Sequence, residues 1–145
     1  MINKFKNWKK IVVNNKLSIK QCLLKLNSIG SQILIVCSEK GILRGTITDG
    51  DIRRGLINGF KLNSNIEKIY NHEPFFLKEN SNAKKFYKYI NDYSIKIIPI
   101  INEKKKLIGA YDTGQKKNYN DHNNKVIIMA GGKGERLRPL TKELP

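Results

Sequence analysis

Sliding the chain along itself by 64 residues brings Lys20 onto Lys84, Asn27 onto Asn91 and Ile33 onto Ile97. With no gap, Glu39-Lys40 then falls on Glu103-Lys104, Leu43 on Leu107, Gly45 on Gly109 and Gly50 on Gly114. The identities are few, but hydrophobic runs and turn residues follow the same register throughout, so the chain reads as a duplication. Two units of about sixty residues bury too little surface to stand separately, and packing face to face resolves this.

The first copy reads strand, helix, strand, strand, helix, and the second repeats it except at its end, where Thr113 to Asn124 is polar and reads as a frayed turn running into a linker. In the first, Ile11 to Val13 is a short strand and Asn14-Asn15 a turn. Ser18 caps a helix from Ile19 to about Ser28, with Leu23, Leu26 and Ile29 inward, and Gly30 ends it. Ile33–Cys37 is a continuous apolar run, hence a buried strand. A tight turn at 38–41 leads into a strand from Ile42 to Thr48, a helix from Gly50 to Asn58, and Gly59 as a stop. The second copy is expected to place its first strand at Phe75–Leu77, its helix at Ala83–Asp92 and its buried strand at Ile97–Ile101. Residues 1–10 read as a polar lead in which Trp8 anchors onto the folded part.

The most informative chemistry lies in Gly45-Thr-Ile-Thr-Asp-Gly-Asp-Ile-Arg-Arg54. Thr46 and Thr48 alternate with Ile47 as in a half-buried strand, and the period changes to helical at Asp49. Thr48 or Asp49 is the expected N-cap. A strand turning straight into a helix aims backbone donors and the helix dipole at one spot, which favours an anion. Thr48 and Asp51 set a hydroxyl and a carboxylate three residues apart beside that spot, and a carboxylate suits the paired hydroxyls of a ribose. Arg53 and Arg54 follow within one turn, within reach of a phosphate.

Gly-Thr-Ile-Thr-Asp-Gly-Asp resembles the end of a CBS domain, a small β-α-β-β-α unit that occurs in pairs, the Bateman modules. The resemblance implies an α+β fold with CBS unit 1 at 1–60 and CBS unit 2 at 61–117. It also implies an adenosine nucleotide (AMP, ADP or ATP) in the cleft between the units. By the family pattern Thr48 and Asp51 hold the ribose, flanked by Thr46 and Gly50. The 64-residue register adds Phe75 and Ile95 over the base, with Lys96 and Arg53 at the phosphate. The second copy departs from this pattern: Asp112 stands for Thr48, Gln115 for Asp51, and Lys117 and Asn118 for the two arginines. One good site per chain is therefore expected. CBS pairs also associate as homodimers, and Leu23, Ile57 and Phe86 supply apolar helix positions for that.

The formal charge of +16 raises the question of nucleic acid. Of the 28 basic residues only five are arginine, the usual reader of base edges, and the lysines are scattered. The excess follows the chain's general richness in Lys, Asn and Ile, so no nucleic-acid role is expected. Cys22 and Cys37 fall in a helix and a strand and suit buried thiols. His72 and His122 lack ligand spacing, so no metal site is expected. No apolar leader or membrane-length run is present, which places the chain in the cytoplasm.

The tail has another character. The polar stretch 118–124 reads as a linker, and Lys125 to Ala130 as a short strand before Gly131-Gly-Lys-Gly-Glu-Arg-Leu-Arg-Pro-Leu-Thr141. It is not a P-loop, since Gly134 follows Lys133, nor a dinucleotide fingerprint, since Leu137 takes the third glycine's place. It closely resembles the opening signature of sugar-phosphate nucleotidyltransferases. That resemblance makes 125–145 the first strand and glycine loop of an incomplete α/β catalytic domain. Gly131, Gly132, Gly134 and Arg136 would hold the triphosphate in a full-length, magnesium-dependent parent, with Arg136 on the pyrophosphate leaving group. The chain itself is expected to be inactive in nucleotidyl transfer. The arrangement resembles guanylyltransferases of bacterial sugar pathways, so the expected function is regulatory nucleotide binding for a sugar-1-phosphate nucleotidyltransferase. The alternative is a structural homodimerisation module.

Overall fold

The apolar run Ile33–Cys37 forms β3, the centre of a three-stranded sheet. It lies between parallel β2 (Val12–Asn14) and antiparallel β4 (Leu43–Thr48). Leu34, Ile35 and Val36 are wholly enclosed, which explains a strand with no polar alternation. This computed structural model describes residues 3–81, 90 and 95–113. Residues 1–115 form one compact unit and 116–145 a second, which lies outside the described residues.

The second copy repeats the first at the level of individual hydrogen bonds. Strands β5 (Leu77–Lys78), β6 (Ile97–Ile101) and β7 (Leu107–Asp112) pair as β2, β3 and β4 do. Ile33 faces Thr48 and Ile97 faces Asp112, and the irregularity at Val36/Cys37 recurs at Ile100/Ile101. The Leu43 N–H donates to the Lys105 carbonyl at 3.0 Å, and the Leu107 N–H to the Gly41 carbonyl at 2.9 Å. Those bonds exchange under the 64-residue register, so a local two-fold axis runs between the copies. Ile42 bridges its own counterpart, Lys106, across that axis.

Helix α1 (Ile19–Ile29) starts at Ser18, whose hydroxyl accepts the Gln21 N–H while the Gln21 side chain accepts the Ser18 N–H. It ends at Gly30, whose φ of +60° is the left-handed conformation that glycine adopts without strain. Its buried residues are Ile19, Cys22 and Leu26, while Leu23 and Ile29 are half-buried. Helix α2 (Asp49–Ile57) sends Ile52 into the same core, which Leu34, Ile35, Ile47 and Ile66 complete. Each such side chain contributes about 1.5–3 kcal/mol by leaving water.

Several boundaries differ from expectation: β4 starts at Leu43 rather than Ile42, and α2 runs Asp49–Ile57 rather than Gly50 to Asn58. The lead contains a strand: β1 (Asn3–Lys4) pairs antiparallel with β7, and the Phe5 N–H donates to the Ala110 carbonyl at 2.8 Å. The edge of β7 supplies its partner, which two residues of local pattern could not announce. The first strand begins one residue late because Ile11 closes a 3-10 turn, Trp8–Ile11. In the second copy the strand is Leu77–Lys78, nearer the register image of β2 than Phe75–Leu77. The helix expected at Ala83–Asp92, apart from Ile90, and Phe86 lie outside the described residues.

Candidate functional site

Where β4 turns into α2, Thr48 and Asp51 lock together. The Thr48 N–H and Oγ1 donate to Asp51 Oδ2 at 2.8 and 2.7 Å, and the Asp51 N–H donates to Thr48 Oγ1 at 3.1 Å. This is a reciprocal cap that satisfies two donors of the helix start. The Asp49 N–H finds a third acceptor in the Gln32 carbonyl, at 3.3 Å. Asp51 is therefore held on two sides, its side chain 17% exposed, with Oδ1 receiving Arg54 Nη2 at 2.6 Å. Arg53 instead donates to Asp49 Oδ2 at 2.6 Å.

This corner forms one wall of a cleft of about 1420 Å³. Of the residues singled out from the sequence, Thr46, Thr48, Gly50, Asp51, Phe75, Ile95 and Lys96 line it together. They come from both copies: the polar corner from the first, and Phe75, Ile95 and Lys96 from the second. Phe75 and Ile95 are half-buried against Leu77, Ile90 and Ile98, which gives the facing wall an apolar surface. Leu23, Leu26 and Ile33 extend that surface from the first copy. A cleft that joins an apolar stretch to polar groups of the β4–α2 corner can take a flat base carried on a hydroxylated sugar.

Arg53 does not line the cleft, and Arg54 does. Helix geometry gives the reason. Position 53 is two residues beyond Asp51, on the opposite side of the helix, whereas position 54 is three residues beyond and returns to the same face. Sequence reasoning also passed over Gln32, Asn71 and Glu73, which line the same space. Gln32 could have been found, being the register image of Lys96. The two meet across the pseudo-axis, where the Lys96 ammonium donates to Gln32 Oε1. Glu73 carries no comparable signal in the sequence.

As far as it is described, through Thr113, the mirror corner keeps one main-chain bond of the first and changes the side chains. The Thr113 N–H donates to the Lys96 carbonyl at 2.9 Å, the image of the bond from Asp49 to Gln32. Thr113 is buried, and its hydroxyl lies within hydrogen-bond distance of the carbonyls of Ile95 and Lys96. Asp112 ends β7 opposite Ile97. Gln115, Lys117 and Asn118 lie outside the described residues, as do Gly131, Gly132, Gly134 and Arg136.

Cys22 and Cys37 are free, buried thiols, each pushed up to about 11 by desolvation. Among the described residues no group of three or more His, Cys, Asp or Glu is gathered as a metal site. Nor is any described helix long and apolar enough to cross a membrane.

Residues 125–145 match the nucleotidyl transferase family. Over 93 residues, 64% of the chain, the sequence is 29% identical to arabinose 5-phosphate isomerase GutQ of Salmonella typhi. The match spans only 29% of that protein's length. Among solved structures, the chain is similar to a CBS domain pair/ACT domain protein from Thermotoga maritima. That pair has a TM-score of 0.60 and 20% identity over 75% of this chain and 90% of the other. A second likeness is to the CBS domain pair of protein MJ0100, solved with 5′-methylthioadenosine and S-adenosyl-L-methionine. There the TM-score is 0.60 and the identity 22%, covering 70% of this chain and 83% of the other.

Proposed function

We infer that this chain, a CBS-domain pair ahead of the opening segment of a nucleotidyl transferase domain, is a regulatory module that binds an adenosine nucleotide. The observation carrying the reading is the convergence of Thr46, Thr48, Gly50 and Asp51 from one copy with Phe75, Ile95 and Lys96 from the other around one cleft. In this reading Thr48 and Asp51 take the ribose hydroxyls, Phe75 and Ile95 cover the adenine, and Lys96 faces the phosphate. The adenosine ligands named for MJ0100 support the ligand class. Three carboxylates, Asp49, Asp51 and Glu73, stand against two cations, Arg54 and Lys96, among the described lining residues. That balance suits a monophosphate better than a triphosphate. In this reading the regulated activity is transfer of a nucleotidyl group to a sugar 1-phosphate, and the nucleotidyl transferase match at residues 125–145 supports it.

A thermal-shift panel of AMP, ADP, ATP and GTP tests the ligand. At 100 times its dissociation constant a ligand adds about 2.7 kcal/mol, a rise of roughly 10 °C for a unit this size. AMP should give the largest shift and GTP none. If no adenosine nucleotide shifts the transition up to millimolar concentration, the reading fails. The surviving alternative is then structural self-association, which the exposure of Leu24 (61%) and Ile57 (77%) on the two helices favours.

A further inference from the structure

Arg54 occupies an acceptor that a ribose would compete for. Asp51 Oδ2 is filled by two donors from Thr48, so only Oδ1 has room, and Arg54 Nη2 takes one of its two lone-pair directions at 2.6 Å. The arrangement is lopsided in mobility. The Asp51 side chain is 17% exposed and fixed by the cap, whereas the Arg54 side chain is 70% exposed. A ligand arriving at this carboxylate therefore displaces the arginine more readily than the aspartate. The displaced guanidinium stays on the cleft face of α2, one turn from the corner. Arg53 cannot substitute for it, because it faces away and is paired with Asp49.

We propose that Arg54 is the specificity residue of this cleft: it screens Asp51 in the empty site and moves onto the phosphate when a nucleotide binds, so that a nucleotide is favoured over its unphosphorylated nucleoside. The proposal rests on the ribose reading above. A nucleoside would have to break the Arg54–Asp51 pair and return nothing to the guanidinium. A nucleotide returns a charge-assisted bond, and the bidentate fit of guanidinium to phosphate makes arginine better here than lysine.

The magnitudes separate the two ligands. A hydrogen bond to a charged group corresponds to about 10- to 150-fold in affinity, so Arg54→Gln should weaken AMP by at least about fivefold once the pair with Asp51 no longer has to be broken. The exposed pair with Asp51 is worth only about a factor of two, so the same change should tighten adenosine roughly twofold. Both ligands break the pair, so it cancels in the comparison, and the ratio of adenosine to AMP dissociation constants should fall by about tenfold or more. Titration calorimetry on the full 145-residue chain, with Arg54→Gln, Arg54→Lys and Arg53→Gln beside the parent, reads this ratio. Arg54→Lys should fall between parent and Gln, and Arg53→Gln should leave the ratio unchanged. A circular-dichroism melt confirms that each variant is folded, and the lysine variant preserves the test if the glutamine variant is not. AMP and adenosine changing by the same factor in the Arg54 variants would overturn the Arg54 assignment and leave the site standing. Neither ligand binding the parent would overturn the site, and the assignment with it.

Discussion

Replacing Asp51 by alanine should have two consequences that can be read separately. The first is on stability. The substitution removes an acceptor from the Thr48 N–H and Oγ1, at 2.8 and 2.7 Å, and the partner of Arg54. Loss of a cap typically costs about 1 kcal/mol, and a half-buried charged acceptor somewhat more. The Arg54 pair is mostly solvated and adds only about 0.3–0.5 kcal/mol. Together these give about 2 kcal/mol, or roughly 8 °C in Tm for a unit of this size. The second consequence concerns the ligand. A 10- to 150-fold loss of affinity, at an AMP concentration of 100 times the parent's dissociation constant, reduces the ligand's stabilisation from about 2.7 to about 0.3–1.4 kcal/mol. Scanning calorimetry with and without AMP measures both terms in one experiment. A lower Tm with the AMP increment intact would show that Asp51 only caps the helix. An unchanged Tm would show that the reciprocal cap contributes nothing, and the energetic reasoning behind it would be wrong.

Gly45→Ala should be among the most damaging single-methyl additions, because the new Cβ would meet the Asn71 carbonyl oxygen and lie 2.5 Å from Tyr70 Cδ2. A loss of about 2 kcal/mol or more, seen as a lower urea midpoint at unchanged m, is expected, and a neutral substitution would contradict the described packing. Native protein at pH 8 should leave Cys22 and Cys37 unreacted towards an aromatic disulfide reagent, with both thiols released in denaturant, since both are buried and pushed up to about 11. Because that folded value lies above the usual 9.0, their contribution to stability is complete below pH 9 and is lost as the pH rises towards 11. Urea midpoints should therefore fall across that window, less steeply in Cys37→Ala.

The duplication was legible because sheet registers preserve it: the same strand partners and the same irregularity recur 64 residues apart. Thr48 and Asp51 were legible because the change from alternating to helical period locates a cap, and the cap is where the corner forms. Arg54 could have been preferred to Arg53 from helical rotation, since only one of the two shares the Asp51 face. What escaped depends on distant pairing. The strand Asn3–Lys4 exists because β7 offers an unpaired edge more than a hundred residues away. Ile66 and Tyr70 enter the core from a segment between α2 and β5 that carries no strand or helix pattern, held by the Ile66 N–H bond to the Leu17 carbonyl at 3.0 Å. Glu73 reaches the cleft for the same reason: the Asn71 and Thr46 backbones exchange hydrogen bonds at 2.9 and 3.1 Å and carry the segment to β4.

As far as Thr113 the duplicated backbone starts both corners alike, so the differences that can be compared between them lie in the side chains. The main-chain bond that starts α2, from Asp49 to Gln32, is reproduced from Thr113 to Lys96. Yet the residue matching Thr48 is Asp112, and the one matching Asp51 is Gln115. In the first corner a hydroxyl both donates to and accepts from its partner, which leaves the carboxylate oriented and partly open. A carboxylate in the hydroxyl's place cannot donate, so the bond from the Thr48 hydroxyl to the Asp51 carboxylate has no counterpart from Asp112 to Gln115. It also sets a negative charge where an anionic ligand would enter, while glutamine offers a ribose only a neutral acceptor. Lys96 and Gln32 sit on the axis common to both corners and are bound to each other. A ligand that draws Lys96 towards the Thr48–Asp51 corner therefore breaks the polar tie at the axis. On the reading proposed above, a nucleotide there would exchange this contact between the copies for one to its phosphate.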